Sequence, residues 1–351
     1  MRAGESFRRI SVEGLGPHGE SAASVDQLAV SDADAARARA AGYSVAVVIH
    51  TTGSDWSRQQ IAGISDTLDR YGARLIDVVD CGFRAQNQVE ALEVLIARVP
   101  DAIISIPLDN LRTADAHRRV TEAGIKLVLM DNAPIGMIAG KHYVSVISAD
   151  NFGNGQVAAG ILSPHVPPRG SVGIVGFGVD FFVTNEREIG FRKWMREHRP
   201  DVTLRLTEFL DLETAGDVVV ESLAQNPVVD ALFVAWDEPA IRVVRALRAI
   251  GREIPIITID LGNEAAAEIA RGGLIKGVGA QMPYDLGVAE ATAVIMALVG
   301  AETPAWVALP AVPVTRDNVL QAYEAVWHRP APPALRRAFE TAGEADSGSG
   351  A

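Results

Sequence analysis

From Tyr43 onward the chain alternates apolar bursts of strand length with stretches whose apolar residues recur at helical spacing. The bursts are YSVAVVIH (43–50), ARLIDVV (73–79), DAIISIP (101–107), IKLVLMD (125–131) and YVSVIS (143–148). Between the first two, Ile61, Ile64, Leu68 and Tyr71 fall three or four apart, which puts them on one face of a helix. Near-continuous apolar strands separated by helices predict a parallel sheet with helices packed over both faces.

A second series repeats the design: GSVGIVGF (170–177), VTLRLTEF (202–209), VDALFVAW (229–236), IPIITID (254–260) and IKGVGAQ (275–281). Two α/β lobes of similar build are implied. After them PYDLGVAEATAVIMALVG (283–300) has helical spacing, and the Pro-rich run PAWVALPAVPV (304–314) is too short for a further lobe. Residues 1–42 predict an arm, poorly ordered or partly helical, and residues 329–351, with PAPP and ADSGSGA, predict a solvated tail.

A length of 351 residues exceeds one ordinary core and suits two lobes. With 48% hydrophobic and 22% charged residues the composition is that of a globular chain. No stretch approaches the roughly 18 unbroken apolar residues of a membrane span. The net charge of −12 repels phosphate backbones and anionic lipid, so nucleic acid is a poor partner and a neutral or cationic small ligand a better one. The single cysteine, Cys81, permits no internal disulfide, and the seven histidines share no ligand spacing, so neither a metal nor a cofactor is expected. Arg8 and Arg9 hint at a twin-arginine signal, but polar and acidic residues follow rather than a secretory apolar run.

The glycine-rich pieces do not make a nucleotide site. GFGVDF (176–181) has Phe181 where a dinucleotide fingerprint needs its third glycine, and GNGQVAAG (153–160) does not follow a core strand of the right kind. No serine sits in a nucleophile elbow, and catalytic machinery is not visible. Polar or aromatic groups do recur just past strand ends, where open α/β sheets bind ligands: TTGSDWS (51–57), MDN (130–132), NERE (185–188), WDE (236–238), IDLGN (259–263) and AQMPYD (280–285).

At these residues the chain resembles the sugar-binding proteins of bacterial ABC importers, ribose-binding type, whose fold is shared by the effector cores of lac-repressor-like regulators. The resemblance runs from about Tyr43 to about Asn318, on motifs that are individually short but fairly specific in order and spacing. SDWS matches the family's first-loop segment of asparagine and aromatics, which would bring Ser54, Trp56 and Ser57 to the ligand. MDN matches its Asp-Arg pair and gives Asp131 and Asn132; NEREIGF matches its Arg-x-x-Gly-Phe segment and gives Arg187. VAWDE gives Trp236, TID gives Asp260 and GAQMP gives Gln281, while Phe182 lies beside Phe181 in a loop that often adds a ring. Where ribose binders carry arginine and asparagine this chain has Asn132 and Trp236, one guanidinium fewer and one ring more, which leaves the sugar's identity open.

The resemblance implies a periplasmic-binding-protein-like I fold: two Rossmann-like lobes with parallel sheets joined by a three-strand hinge. Lobe 1 would comprise 43–148 plus 282–308 and lobe 2 would comprise 149–281 plus 309–328. Closure about the hinge would bury the ligand between the lobes, and the closed form would be recognised by a membrane permease. Residue types agree, since flat rings cover the C–H faces of a sugar while carboxylates, amides and a guanidinium meet its hydroxyls.

Blander roles stand beside each of these. Trp236 also reads as a core ring at a strand end, Asp131 and Asp260 as turn or cap residues, Arg187 as a partner of Glu186 or Glu188, and Gln281 as a hinge residue. Asp237 reads as the cap of the helix that Pro239 begins.

The expectation is therefore a monomeric solute-binding protein, not an enzyme. It would capture a monosaccharide, amino sugar or sugar alcohol and deliver it, outside the cytoplasm, to an ABC importer. The alternatives are a cytosolic sugar sensor of the same fold, for which the acidic arm offers no basic helix-turn-helix, and an α/β enzyme acting on a sugar.

Overall fold

The structure, a computed structural model, describes residues 11–226 and 228–348, with side chains described as far as residue 342. Arg8, Arg9 and the rest of the first ten residues of the arm, and the last three residues of the tail, lie outside the described residues.

The first series of bursts forms α1 (Asp32–Ala41), β1 (Ser44–Ile49), α2 (Asp55–Arg70), β2 (Arg74–Asp80), α3 (Ala85–Arg98), β3 (Ala102–Ser105), α4 (Ala114–Glu122), β4 (Lys126–Met130) and β5 (Ser145–Ala149). The second forms α5 (Asn151–Leu162), β6 (Ser171–Phe177), α6 (Phe182–His198), β7 (Thr203–Phe209), α7 (Ala215–Gln225), β8 (Ala231–Val234), α8 (Asp237–Ala249), β9 (Ile256–Ile259), α9 (Asn263–Ala270) and β10 (Ile275–Ala280). The chain ends with α10 (Pro283–Leu298), β11 (Trp306–Leu309), β12 (Val312–Thr315), α11 (Val319–Trp327) and α12 (Pro333–Gly348).

Two compact units result. The first lobe takes Gly14–Ala149 and Met282–Leu309; the second takes Asp150–Gln281 with the described residues before Gly14 and after Leu309. Each holds a six-stranded sheet, ordered β11-β5-β4-β3-β1-β2 in the first lobe and β12-β10-β9-β8-β6-β7 in the second. Every pairing in the first sheet is parallel, whereas β12 of the second runs antiparallel to β10. Interior strands such as AIIS and ALFV are buried at every position, as a sheet covered on both faces requires. The charged strands RLIDVVD and TLRLTEF are the edges β2 and β7, where charge discourages pairing with another chain.

In each lobe one helix pair approaches more closely than side chains allow. A Cβ on Gly63 of α2 would lie 2.1 Å from the Tyr284 carbonyl oxygen, and one on Gly287 of α10 would lie 2.1 Å from that of Gln60. In the second lobe Gly155 of α5 would meet the Arg187 carbonyl at 2.0 Å and Gly190 of α6 the Phe152 carbonyl at 2.1 Å. Only glycine permits such backbone contact. The glycines singled out in GNGQVAAG thus belong to a helix, and Gly155 among them serves its packing.

Four expectations need adjustment. The buried face of α2 carries Ser57, Gln60, Gly63, Ile64, Thr67 and Leu68, so Ile61 and Tyr71 flank it rather than centre it; close approach to α10 favours small residues there. The Pro-rich run forms two strands, β11 and β12, one for each sheet, and Pro313 is accommodated because β12 is an edge. The tail folds back as α12 instead of remaining solvated: Leu335 is buried, and Arg316 lies 4.8 Å over the Phe339 ring and donates to its carbonyl at 2.9 Å. Asp237 does not cap its own helix, whose N-cap is Trp236; its carboxylate accepts the Gly262 N–H at 2.8 Å and so ties α8 to the start of α9.

Candidate functional site

In the second lobe the sequence places Arg187 in the second turn of α6, facing α5 across the glycine contact, and burial follows from that close packing. Its Nε donates to Oδ1 of Asn151 at 3.1 Å, and Nη1 donates to the Ala235 carbonyl at 3.1 Å and to Oδ2 of Asp260 at 3.3 Å. Guanidinium and carboxylate are only 5% and 9% exposed at their side chains, so the pair is a buried one. Gln281, the last residue of the lobe before the chain crosses at 281/282, donates from Nε2 to the same Asn151 oxygen at 3.0 Å. The predicted residues Arg187, Asp260 and Gln281 are therefore brought together, and Asn151 joins them.

Asp260 follows β9 with φ of 72°, a left-handed conformation that aspartate tolerates better than most residues. Burial raises its carboxyl above the ordinary range while Arg187 opposes the rise. Oδ1 of Asp260 is buried and has no hydrogen-bond partner among the described residues. Asp131 stands at the matching place in the first lobe: it follows β4, has φ of 59°, and its Oδ1 accepts from the Ala149 N–H at 3.3 Å.

Around Asp131 the first lobe gathers Asn132, buried and donating to Oδ1 of Asn110 at 2.6 Å, and a deeper acid–amide pair. That pair is Gln60 of α2 and Glu290 of α10, both fully buried, with Nε2 donating to Oε1 at 2.6 Å. Burial first, and the Asp131 charge second, push the Glu290 carboxyl well above its usual value. Gln60 precedes Gly63 by three residues just as Arg187 precedes Gly190, so the two side chains occupy corresponding stations.

Ser54 and Ser57 open α2, and both are buried. Ser54 is the N-cap, accepting from the Ser57 N–H at 3.0 Å and donating to the Ser57 hydroxyl at 2.8 Å. Trp56 is half-buried with its ring 5.5 Å from that of His50, which in turn meets Phe83 edge-on at 4.9 Å. Trp236 is half-buried between Phe177 and Phe209, each at 5.4 Å between ring centroids. Phe182, also half-buried, is the first residue of α6.

Sequence reading missed Asn151, Gln60, Glu290 and His50. His50 could have been found, because it ends the first burst. Asn151 and the Gln60–Glu290 pair carry no local signal, since their partners lie 36 and 230 residues away. Among the described residues no cluster of three or more His, Cys, Asp or Glu could hold a metal ion, and no helix is long and apolar enough to cross a membrane.

Comparison with known proteins gives a consistent result. The family described as periplasmic binding protein domain matches residues 45–302. The ribose import binding protein RbsB of Bacillus subtilis is 25% identical over 247 residues, 70% of this chain and 78% of that protein. Among solved structures, an ABC transporter solute binding protein from Agrobacterium vitis bound with α-D-tagatopyranose has a TM-score of 0.74 at 22% identity, covering 84% of this chain and 98% of its own. An ABC sugar transporter subunit from Rhodobacter sphaeroides has a TM-score of 0.69 at 25% identity, covering 79% of this chain and 99% of its own.

Proposed function

The chain belongs to the periplasmic binding protein domain family, and from that premise we propose that it captures a monosaccharide, amino sugar or sugar alcohol and delivers it to the permease of an ABC importer. The observation that carries this reading is the buried Arg187–Asp260 pair at the carboxyl ends of the second sheet, with Oδ1 of Asp260 left without a partner. A buried carboxylate oxygen in that condition is costly unless a donor completes it, and a ligand hydroxyl or amine is such a donor.

The residues proposed to meet the ligand are Asp260, Arg187 and Gln281 with the Trp236 ring and Phe182 in the second lobe, and Asp131 and Asn132 with Trp56 and the Ser54–Ser57 helix start in the first. Hydrogen bonds to charged groups contribute about 1.5 to 3 kcal/mol each, and micromolar affinity needs only about 8 kcal/mol net. A few such bonds with one stacked ring meet that figure after the cost of ordering the lobes.

The relatives support the transport role and the location: RbsB is named as a ribose import binding protein, and the Agrobacterium vitis protein as a solute binding protein of an ABC transporter. On this reading the protein works outside the cytoplasm as a monomer, binding rather than converting its ligand, with the permease as its protein partner and no nucleic-acid partner.

A thermal-shift screen with D-ribose, D-tagatose, D-glucose, D-glucosamine and sorbitol tests this, because a ligand that binds only the folded state raises Tm by mass action. At least one compound is expected to raise Tm, and the rise is expected to vanish in Asp260→Asn while that variant still unfolds cooperatively. Equal shifts in wild type, Asp260→Asn and Trp236→Ala would remove the site, and no shift with any compound would remove the ligand class.

A further inference from the structure

Buried charge in this protein is lopsided. Among the described residues less than a tenth exposed, Arg187 is the sole lysine or arginine, whereas Asp131, Asp150, Asp237, Asp260, Glu268 and Glu290 are acids. Some of these acids are answered within the fold. Glu268 meets Arg248 at 2.6 Å and Arg271 at 3.4 Å. Asp150 caps α5 by accepting the Gly153 N–H at 2.8 Å and takes the Glu13 N–H at 2.6 Å, and Asp237 takes the Gly262 N–H.

What Arg187 leaves over is the point of interest. It meets Oδ2 of Asp260, but its remaining bonds go to the neutral oxygens of Asn151 and Ala235. The other Asp260 oxygen stays without a partner among the described residues, in a side chain more than nine-tenths buried. Half-buried Glu186, adjacent to Arg187 in sequence, is raised above the ordinary carboxylate range by burial and by the Asp150 charge, so the negative field extends past what the guanidinium neutralises.

A neutral sugar would supply hydrogen bonds to these acids but would leave the excess charge in place as water is excluded. Burying an uncompensated charge is among the largest penalties a site can carry. An ammonium group supplies the same donors and cancels the charge, and a half-buried indole such as Trp236 favours a cation over its face. Resting on the sugar-binding reading above, we propose that the ligand is cationic, an amino sugar or amino-polyol whose ammonium donates to Oδ1 of Asp260.

Titration calorimetry on the full chain with matched compounds tests the class: D-glucosamine against D-glucose, D-galactosamine against D-galactose and D-glucamine against sorbitol, with the uncharged N-acetyl amino sugars as controls. In at least one set the amine is expected to bind ten-fold or more tightly than its hydroxyl counterpart, the N-acetyl form losing that advantage. Glu186→Gln, which removes charge without touching the Arg187–Asp260 pair, is expected to narrow the ratio. Hydroxyl compounds binding as tightly as amines in every set would overturn the cationic ligand and leave the sugar-binding function standing. An absence of binding by every amine and every hydroxyl compound would overturn both.

Discussion

Arg187 and Asn151 are joined across the α6–α5 contact by an Nε–H to Oδ1 hydrogen bond of 3.1 Å, and the same oxygen takes the Gln281 amide at 3.0 Å. Asn151 thus sits between the buried guanidinium and the last residue before a crossing of the chain. Replacing it by alanine leaves two buried donors unsatisfied, each worth about 1 to 3 kcal/mol. Asn151→Ala is expected to lower Tm and to weaken ligand binding about ten-fold or more, whereas Asn151→Asp, which keeps an acceptor in place, recovers much of the Tm. Thermal unfolding and calorimetry on the two variants separate these outcomes; equal Tm in wild type and Asn151→Ala would mean the bond contributes nothing.

Removing either partner of the Arg187–Asp260 pair strands a buried charge, at a cost of about 3 to 5 kcal/mol. Arg187→Ala is therefore expected to destabilise the free protein severely, and the Arg187→Met, Asp260→Leu double variant to be more stable than either single change. Urea unfolding of the set checks the coupling, and additive single and double effects would deny it.

Glu290 predicts a pH dependence. Its folded pKa is raised, so the folded state holds the proton more tightly than the unfolded chain, and the stability this contributes is present at low pH. It is lost as pH rises from the ordinary glutamate value near 4.5 through the folded pKa. Glu290→Gln, which mimics the neutral acid and keeps the Gln60 contact, is expected to flatten that part of the profile of unfolding free energy against pH. An unchanged profile would show that Glu290 ionises freely.

Glycine positions differ in what they tolerate. Gly190→Ala forces a Cβ against the Phe152 carbonyl and is expected to destabilise by about 1 to 3 kcal/mol or more, with loss of affinity because Arg187 lies one turn away. Gly160, on the same lobe, would place its Cβ at an ordinary 3.8 Å from the Trp194 ring, so Gly160→Ala is expected to be neutral or to stabilise by up to about 1 kcal/mol. Melting temperatures of the two variants decide it, and a similar fall in both would show that helix contact is not the cause.

Trp236 packs edge-on to Phe177 and against Phe209, yet stays half-buried. Trp236→Phe is expected to retain most stability and to lose part of the affinity, and Trp236→Ala to lose affinity about ten-fold or more. Calorimetry on both is the check; undiminished binding by Trp236→Ala would leave the ring a packing element only.

The sequence by itself determined the strands, the helices and the two-lobed α/β class, because period and apolar continuity are local properties that burial on both faces of a sheet enforces. It also pointed to Asp131, Asp260 and Gln281, which follow strand ends, and to Arg187 in the helix after β6, all within recognisable short motifs. It could not determine that Asn151 receives Arg187 and Gln281, that Gln60 meets Glu290, or that Asp237 serves the next helix. Those contacts join residues far apart in the chain, and the Arg187–Asn151 and Gln60–Glu290 contacts span helix pairs whose glycines let the backbones touch. Tertiary structure also turned the Pro-rich run into one strand for each sheet and folded the tail into a helix, since Leu335 and Phe339 gain a buried or stacked partner only when the rest of the lobe is there to meet them.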